Sequence, residues 1–418
     1  MRDKLLKRFF SYVGFDTQSR ENVNDRFPST ESQKKLSKVL VNELRSLGIE
    51  DAVMDKYGYV TATLPGNLPE SELARVPVIG FFAHIDTSPE VSGRDVVPIL
   101  HENYRGGDIV LPADKSSVIR VDENPELENN IGNDIVTSDG STLLGADDKA
   151  GIAEIMTMVE YFIDHPEIKR GSVKVAFTVD EEVGNGLKYF DLRRFGADFG
   201  YTVDGGKIGE IENETFNGSV AEYKIRGRSV HPGYAKGKMV NSVRVAADIV
   251  KELEDEPSPE TTEKREGYLH PYYITGGVSD ARLRVLIRDF EADKMMEKEE
   301  RLKSIRREML RRYHGAEIDL KIDETYRNMK AKLDEDSRVV EYALEAVRRS
   351  GIEPELKYIR GGTDGAWLCY NGLLAPNIFT GGMNFHSRLE WIPVQAMIKS
   401  VETLINIVLI WSEKSLLQ

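Results

Sequence analysis

The sequence predicts an α/β protein: a mixed, mostly parallel sheet flanked by helices, interrupted by a smaller α+β domain. Three observations carry this. Apolar runs of strand length alternate with helical patterns through the first half, the pattern changes after about Asn213, and it resumes from Asp336. The main domain is therefore read as discontinuous, residues 1–213 and 329–418, with the insert at 214–328. The length agrees, since 418 residues exceed the roughly 100–200 that one core usually serves.

Each element follows from local pattern. Residues 1–8 read as the start of an amphipathic helix, without the long apolar core or small-residue cleavage site of an export signal. Over residues 31–47, Leu36, Val39, Leu40, Leu44 and Leu47 recur at helical spacing; Thr30 and Gln33 resemble a capping box, and Gly48 closes the segment. Apolar runs at 78–82, 173–179, 199–203 and 376–379 suit buried strands, each followed within a position or two by polar or glycine-rich residues. Between 148 and 164, Ile152, Ile155, Met156, Val159 and Phe162 form a helical pattern that starts near Asp147, where the helix dipole favours an anionic side chain. In the insert, strands are expected over 219–225, 281–289 and 317–322, and helices over 240–253 and 292–313. The charged runs 252–266 and 293–312 read as solvated surface. The apolar stretch 400–411 contains Glu402 and Asn406 and is shorter than the ~20 residues of a membrane span, so it reads as a packed C-terminal helix.

Composition narrows the partners. With 40% hydrophobic and 30% charged residues the chain should fold rather than stay disordered. A net charge of -14 argues against polyanions, because nucleic acid and anionic membranes attract basic surfaces. Small molecules or peptides are the expected ligands, with no nucleic acid and no membrane as partner. Cys369 is the sole cysteine, which excludes an intrachain disulfide and suits a reducing, cytoplasmic location.

The chemistry sits just beyond the predicted strands. His84, Glu181 with Glu182, Asp204 and, more loosely, His386 each follow a strand, and in open α/β sheets ligands gather outside the carboxyl ends of strands. The spacing of His84 and Asp86 sends both side chains to one side of an extended segment, so Asp86 can orient the imidazole. In Leu144-Gly145-Ala146-Asp147-Asp148-Lys149, Asp147 can bridge two cations with its two oxygens, leaving Asp148 in a supporting role. Of Glu181 and Glu182, one can bind a cation while the other removes a proton from water. Singly, each has an ordinary explanation: Asp204 as a turn former, the Asp pair as an acidic helix entrance, His386 as an exposed loop residue. Together they invite a divalent metal, because crowded carboxylates repel and protonate unless a cation holds them. The glycines nearby do not form a phosphate loop, since the Gly-Lys-Ser/Thr ending is absent.

Four segments carry a closer resemblance: Ala83-His84-Ile85-Asp86-Thr87-Ser88-Pro89, Glu102-Asn103-Tyr104-Arg105-Gly106-Gly107-Asp108, Leu144-Gly145-Ala146-Asp147-Asp148-Lys149-Ala150-Gly151 and Asp180-Glu181-Glu182-Val183-Gly184. They are similar to the tripeptide aminopeptidases of the co-catalytic zinc peptidase family, which also contains dipeptidases, carboxypeptidases and deacylases. The segment from Glu102 to Asp108 is the part that points to the tripeptidase branch. The resemblance implies two Zn2+ per subunit, with Mn2+ or Co2+ as substitutes. His84 and Asp204 would bind one, Glu182 and His386 the other, and Asp147 both. It further implies that Asp86 orients His84, that Glu181 is the general base, and that the insert is a lid through which a homodimer forms.

Two further motifs follow from the same likeness. Ser229-Val230-His231-Pro232-Gly233 resembles the lid motif whose histidine polarises the scissile carbonyl, in dimeric relatives from the partner subunit; an exposed loop histidine is the competing reading. Arg360, in Arg360-Gly361-Gly362-Thr363-Asp364, resembles the position that binds a substrate carboxylate, a task suited to a planar guanidinium. Arg288 is a second candidate for that role, and an ordinary surface ion pair the alternative. The implied activity is release of the N-terminal residue from tripeptides, with short peptides bearing a free N-terminus as substrates. A dipeptidase, an N-acyl amino acid deacylase, or an inactive peptide-binding protein of the same fold are the alternatives.

Overall fold

The four apolar runs form the parallel centre of a sheet in a computed structural model that describes residues 1–417. In spatial order the strands are Val53–Met54, Val60–Leu64, Val173–Thr178, Ile79–His84, Phe199–Gly205, Asn377–Phe379, Glu210–Thr215 and Glu355–Ile359. The run from Val173–Thr178 to Asn377–Phe379 is parallel, with antiparallel neighbours Val60–Leu64 on one side and Glu210–Thr215 on the other. Ile79–His84 is buried at every position, as a strand covered on both faces must be, and so its sequence is apolar without alternation.

Helix Ala146–Asp164 packs on Ile79–His84 and Phe199–Gly205, and against helices Arg2–Val13 and Val394–Leu417. With partners on several sides it is buried almost all round. At Gly151 a Cβ would lie 1.9 Å from the Val203 carbonyl oxygen and 2.4 Å from Asp148 Oδ1, so only glycine lets the helix sit this close to the strand. Among the described residues, Val394–Leu417 alone is long and apolar enough to cross a membrane, but 67% of its apolar window is buried within the protein. Its partners are Ala146–Asp164 and Arg338–Arg349.

The chain divides into two compact units. The first holds Met1–Asn213, Met329–Lys357 and the chain from Thr363 onward; the second holds Glu214–Asn328 with Tyr358–Gly362. In the second, an antiparallel sheet of order Tyr268–Gly276, Asp280–Asp289, Asn217–Arg226, Glu317–Tyr326 carries helices Ser242–Lys251 and Ala292–Arg312. Period-2 alternation turns Ala221, Tyr223, Ile225, Leu283, Val285 and Ile287 into one core with Val245, Ile249, Leu302, Ile305 and Met309 from the helices. The expected α/β architecture with a separate α+β part is thus what the chain adopts.

Some local expectations are not met. Thr30 and Gln33 do not form a capping box: the Thr30 hydroxyl donates to the Gln18 carbonyl at 2.8 Å, and the Gln33 amide reaches Asp180 at 2.7 Å. Helix Gln33–Ser46 consequently starts without a side-chain cap. Strand Tyr268–Gly276 went unforeseen because it is an edge strand whose second half is exposed, so it lacks alternating apolar residues. Helix Ser242–Lys251 begins later than the apolar pattern suggests because Asn241 caps it, accepting the Val243 N–H at 3.0 Å.

Candidate metal centre

Sheet register assembles the first pair of residues. Phe82 lies opposite Thr202 in the parallel pair Ile79–His84 and Phe199–Gly205; two places further along each strand stand His84 and Asp204. His84 Nε2 is accordingly 3.5 Å from Asp204 Oδ1. On its other side His84 lies opposite Thr178. Beyond Thr178 the chain turns through Asp180, in the left-handed region at φ 59°, into the short helical turn Glu181–Val183. The Asp180 carboxylate fixes this turn by accepting from the Ser29 N–H and hydroxyl, both at 2.5 Å, and from the Gln33 amide.

Asp147 occupies the middle. Its Oδ1 is 2.9 Å from His84 Nε2, and its Oδ2 is 3.2 Å from His386 Nε2. His386 Nε2 is also 2.8 Å from Glu182 Oε2. Two groups of potential ligands result, His84 with Asp147 and Asp204, and Asp147 with Glu182 and His386; within each, the ligand atoms lie no more than 4.8 Å apart. Asp147 belongs to both. A donor set of imidazole and carboxylate suits zinc and neighbouring divalent metals. A second observation supports a cation: Glu182 Oε1 is buried without a hydrogen-bond partner among the described residues, a costly state for a carboxylate oxygen unless something positive meets it.

The electrostatics of the cluster are those of acids short of cations. Burial pushes Glu182 up to about 8 and Asp204 up to about 6, with the Asp147 charge adding to both. Burial likewise raises Glu181 well above the ordinary glutamate range, with His84 opposing and Asp204 and Asp364 reinforcing. His386 rises to about 11 through its hydrogen bonds to Asp147 and Glu182. Burial would lower His84, but the Asp204 charge and the hydrogen bond to Asp147 outweigh it and hold the ring well above its usual value. Protons on the imidazoles and carboxyls therefore hold this cluster together whenever metal does not, and metal must displace them.

The loops are tied to one another by carboxylates that accept backbone N–H groups. Asp148 Oδ2 accepts the His84 N–H at 3.0 Å, and its Oδ1 that of Gly151 at 3.2 Å. Asp86 was expected to orient His84 through its carboxylate, but the nearer contact to His84 Nδ1 is the Asp86 backbone carbonyl, at 2.9 Å against 3.5 Å for Oδ1. The Asp86 carboxylate instead accepts the N–H groups of Glu181 and Glu182 at 3.0 and 3.2 Å. Two buried acids escaped the sequence reading. Glu390 accepts the N–H groups of Leu144, Gly145 and Asp147. Asp364 accepts the Thr178 hydroxyl at 3.0 Å and lies so close to Gly186 that a Cβ there would be 2.3 Å from Oδ1. Neither stands in a pattern that a single sequence exposes.

The model of peptidase family M20/M25/M40 matches residues 139–409. The chain belongs to the peptidase family M20/M25/M40. It is 46% identical over 411 residues to a protein named Peptidase T from Caldanaerobacter subterraneus subsp. tengcongensis, covering 98% of this chain and 99% of the relative. The fold of this M20 chain is similar to that of aminopeptidase PepT from Bacillus cereus, with a TM-score of 0.74, 24% identity and 98% of each chain covered. It is also similar to the Bacillus subtilis YXEP protein, described as a dinuclear metal binding peptidase of the M20 family, with a TM-score of 0.67, 14% identity and 99% and 98% coverage.

Three further residues predicted for this M20 chain lie in the second unit. His231 is the N-cap of the short turn Pro232–Tyr234, where its Nδ1 accepts the Gly233 N–H at 3.2 Å. That assigns the ring proton of the neutral form to Nε2, a hydrogen-bond donor free to face outward. Arg360 does not present a free guanidinium: Nη1 donates to the carbonyls of Lys264 and Glu266, Nη2 to the Thr262 hydroxyl and carbonyl, and the group stacks on Phe216 and Tyr268. It clasps the loop at 262–266. Arg288 is less committed, with Nη1 donating to the Ser219 and Ile287 carbonyls and the guanidinium over the Tyr326 ring. In the first unit, the segment from Glu102 to Asp108 contributes buried Tyr104 to a hydrophobic cluster with Ile109, Leu127, Ile135 and Trp391, the last adjoining Glu390 in sequence.

Proposed function

We propose that this chain is a zinc-dependent aminopeptidase that releases the N-terminal residue from tripeptides. The observation that carries the reading is Asp147 set between two histidines, each oxygen serving a separate ligand group, in a chain 46% identical to a protein named Peptidase T. His84 and Asp204 would hold one cation, Glu182 and His386 the other, and Asp147 both. Bound divalent cations supply Lewis acidity that lowers the pKa of water and polarises a carbonyl.

The remaining steps belong to side chains of this protein. Glu181, beside Glu182 in the turn that follows strand Val173–Thr178, takes a proton from the attacking water and hands it to the leaving amine. Asp86 holds the backbone of Glu181 and Glu182 while its carbonyl orients His84. His231 offers its Nε2 proton to the oxyanion, and Arg288 offers the substrate's terminal carboxylate the guanidinium donors that the Ser219 and Ile287 carbonyls do not take. Residues 214–328 act as the lid. The edge of strand Tyr268–Gly276, with Tyr272, Tyr273 and Ile274 exposed, is where a homodimer would pair. A cytoplasmic location fits the single, buried Cys369.

The test is direct. Purified protein is assayed for metal content, then offered di-, tri- and tetrapeptides, a C-terminally amidated tripeptide and N-acyl amino acids. The expected result is two zinc ions per chain and fastest release of the N-terminal residue from tripeptides. Turnover confined to dipeptides or acyl amino acids would replace the tripeptidase reading, and protein without bound metal or turnover would overturn it.

A further inference from the structure

Glu390 stands four residues beyond His386, in a turn closed by hydrogen bonds between the backbones of Met383 and Trp391 at 2.9 and 3.1 Å. Its side chain leaves that turn for another part of the chain. Oε2 accepts the N–H groups of Leu144 and Gly145, each at 2.8 Å, and Oε1 accepts that of Asp147 at 3.1 Å. Glu390 is 1% exposed, so these amides replace the water that the carboxylate lost on burial. Clustered backbone N–H groups of this kind form a concavity for an anion. Here the anion is part of the protein, and it comes from the segment that carries His386.

We propose that Glu390 is a positioning residue that locks the Asp147 loop to the His386 turn, so that one carboxylate sets two ligands of the second cation. The inference rests on the two-cation reading above. The clamp acts on Asp147 itself, since the Asp147 N–H is one of the three donors. Other carboxylates hold the remaining ligand segments: Asp148 takes the His84 N–H and Asp86 takes those of Glu181 and Glu182. Glu390 completes the set by bringing in the segment most distant in sequence. Because Asp147 faces both His84 and His386, a shifted Asp147 loop weakens both ligand groups; because Glu390 also anchors the turn of His386, the group with Glu182 and His386 loses more.

Glu390→Gln tests this with little change of shape. Its NH2 group must face either the Asp147 N–H or the pair from Leu144 and Gly145, donor against donor, and the loop has to move. The measurement is stepwise Zn2+ affinity by competition with a chromophoric chelator, alongside the thermal midpoint of metal-free protein. We expect a loss of about 10–100-fold in affinity, larger for one of the two ions, together with a lowered metal-free midpoint from the opposed donors. A lowered midpoint with wild-type Zn2+ affinity would make Glu390 merely structural and overturn the proposal. Should Glu390→Gln not fold, Glu390→Asp retains the charge on a side chain one methylene too short to span both sets of amides; a smaller loss of affinity is expected there, and wild-type affinity overturns the clamp. Wild-type protein that takes up fewer than two Zn2+ would overturn the two-cation reading and this inference with it, whereas two bound ions and an unaltered variant overturn this inference alone.

Discussion

The Asp86 carboxylate receives the backbone N–H of Glu181 at 3.0 Å. Its other oxygen receives the Glu182 N–H at 3.2 Å, so one buried acid fixes the backbone of both the proposed base and a proposed ligand. Asp86→Asn places an NH2 group against one of those amides, and turnover of a tripeptide should fall about 10–100-fold. Glu181→Gln removes the proton acceptor itself and should lower kcat about 10²–10⁴-fold, with metal content unchanged. Steady-state kinetics with metal analysis of each variant separates the two effects; near-normal kcat in Glu181→Gln would remove Glu181 as general base.

Metal uptake should be linked to pH. In the metal-free protein burial raises Glu182, and hydrogen bonds to Asp147 and Glu182 raise His386, so at neutral pH the hydrogen-bonded Glu182–His386 pair holds a proton that a cation must displace. Raising the pH removes this competitor, and Zn2+ affinity should increase by about tenfold per pH unit for each proton displaced. Calorimetric Zn2+ titrations in buffers of different ionisation enthalpy count the protons released. Affinity that stays level between about pH 6 and 8 would mean that these groups are already deprotonated.

Much of the centre is legible in the sequence because its parts lie at strand ends. Strands such as Ile79–His84 and Val173–Thr178 are apolar runs by necessity, and the polar residue that follows each one marks the site. The anchors are less visible. Glu390 and Asp364 work by accepting N–H or hydroxyl groups from segments far away in sequence, and no local spacing distinguishes such an acid from a surface glutamate or aspartate. Gln33 illustrates the opposite error: a residue in capping-box position has a better partner in Asp180, and tertiary contact overrides the local motif.

Carboxylate recognition should follow Arg288 rather than Arg360. Both Nη atoms of Arg360 are spent on four acceptors in 262–266, whereas the hydrogen bonds to carbonyls from Arg288 run through Nη1 alone. We expect Arg288→Ala to abolish most of the preference for a tripeptide over its C-terminal amide, through KM, by about 10–100-fold, as befits loss of a charge-assisted pair of about 1.5–3 kcal/mol. Arg360→Ala should leave that preference intact and instead make the chain at 262–266 more susceptible to limited proteolysis. Loss of the preference in Arg360→Ala alone would return the anchoring role to Arg360.

Glu154 provides a stability test remote from the proposed ligands. It is fully buried in helix Ala146–Asp164, where Oε2 accepts the Ser400 hydroxyl at 2.6 Å and Oε1 has no partner among the described residues. Burial raises its pKa well above the ordinary 4.5, with the Ser400 bond opposing. The folded state thus keeps this proton after the unfolded chain has released it. Stability from this group is fully present below the unfolded value and is lost as pH rises from there toward the folded value, at about 1.4 kcal/mol per pH unit. Glu154→Gln cannot ionise and can still bond Ser400, so it should gain on the wild type steadily as the pH is raised above about 4.5. Thermal midpoints of both metal-free proteins across that range test this, and parallel curves would show that Glu154 is already charged inside the helix.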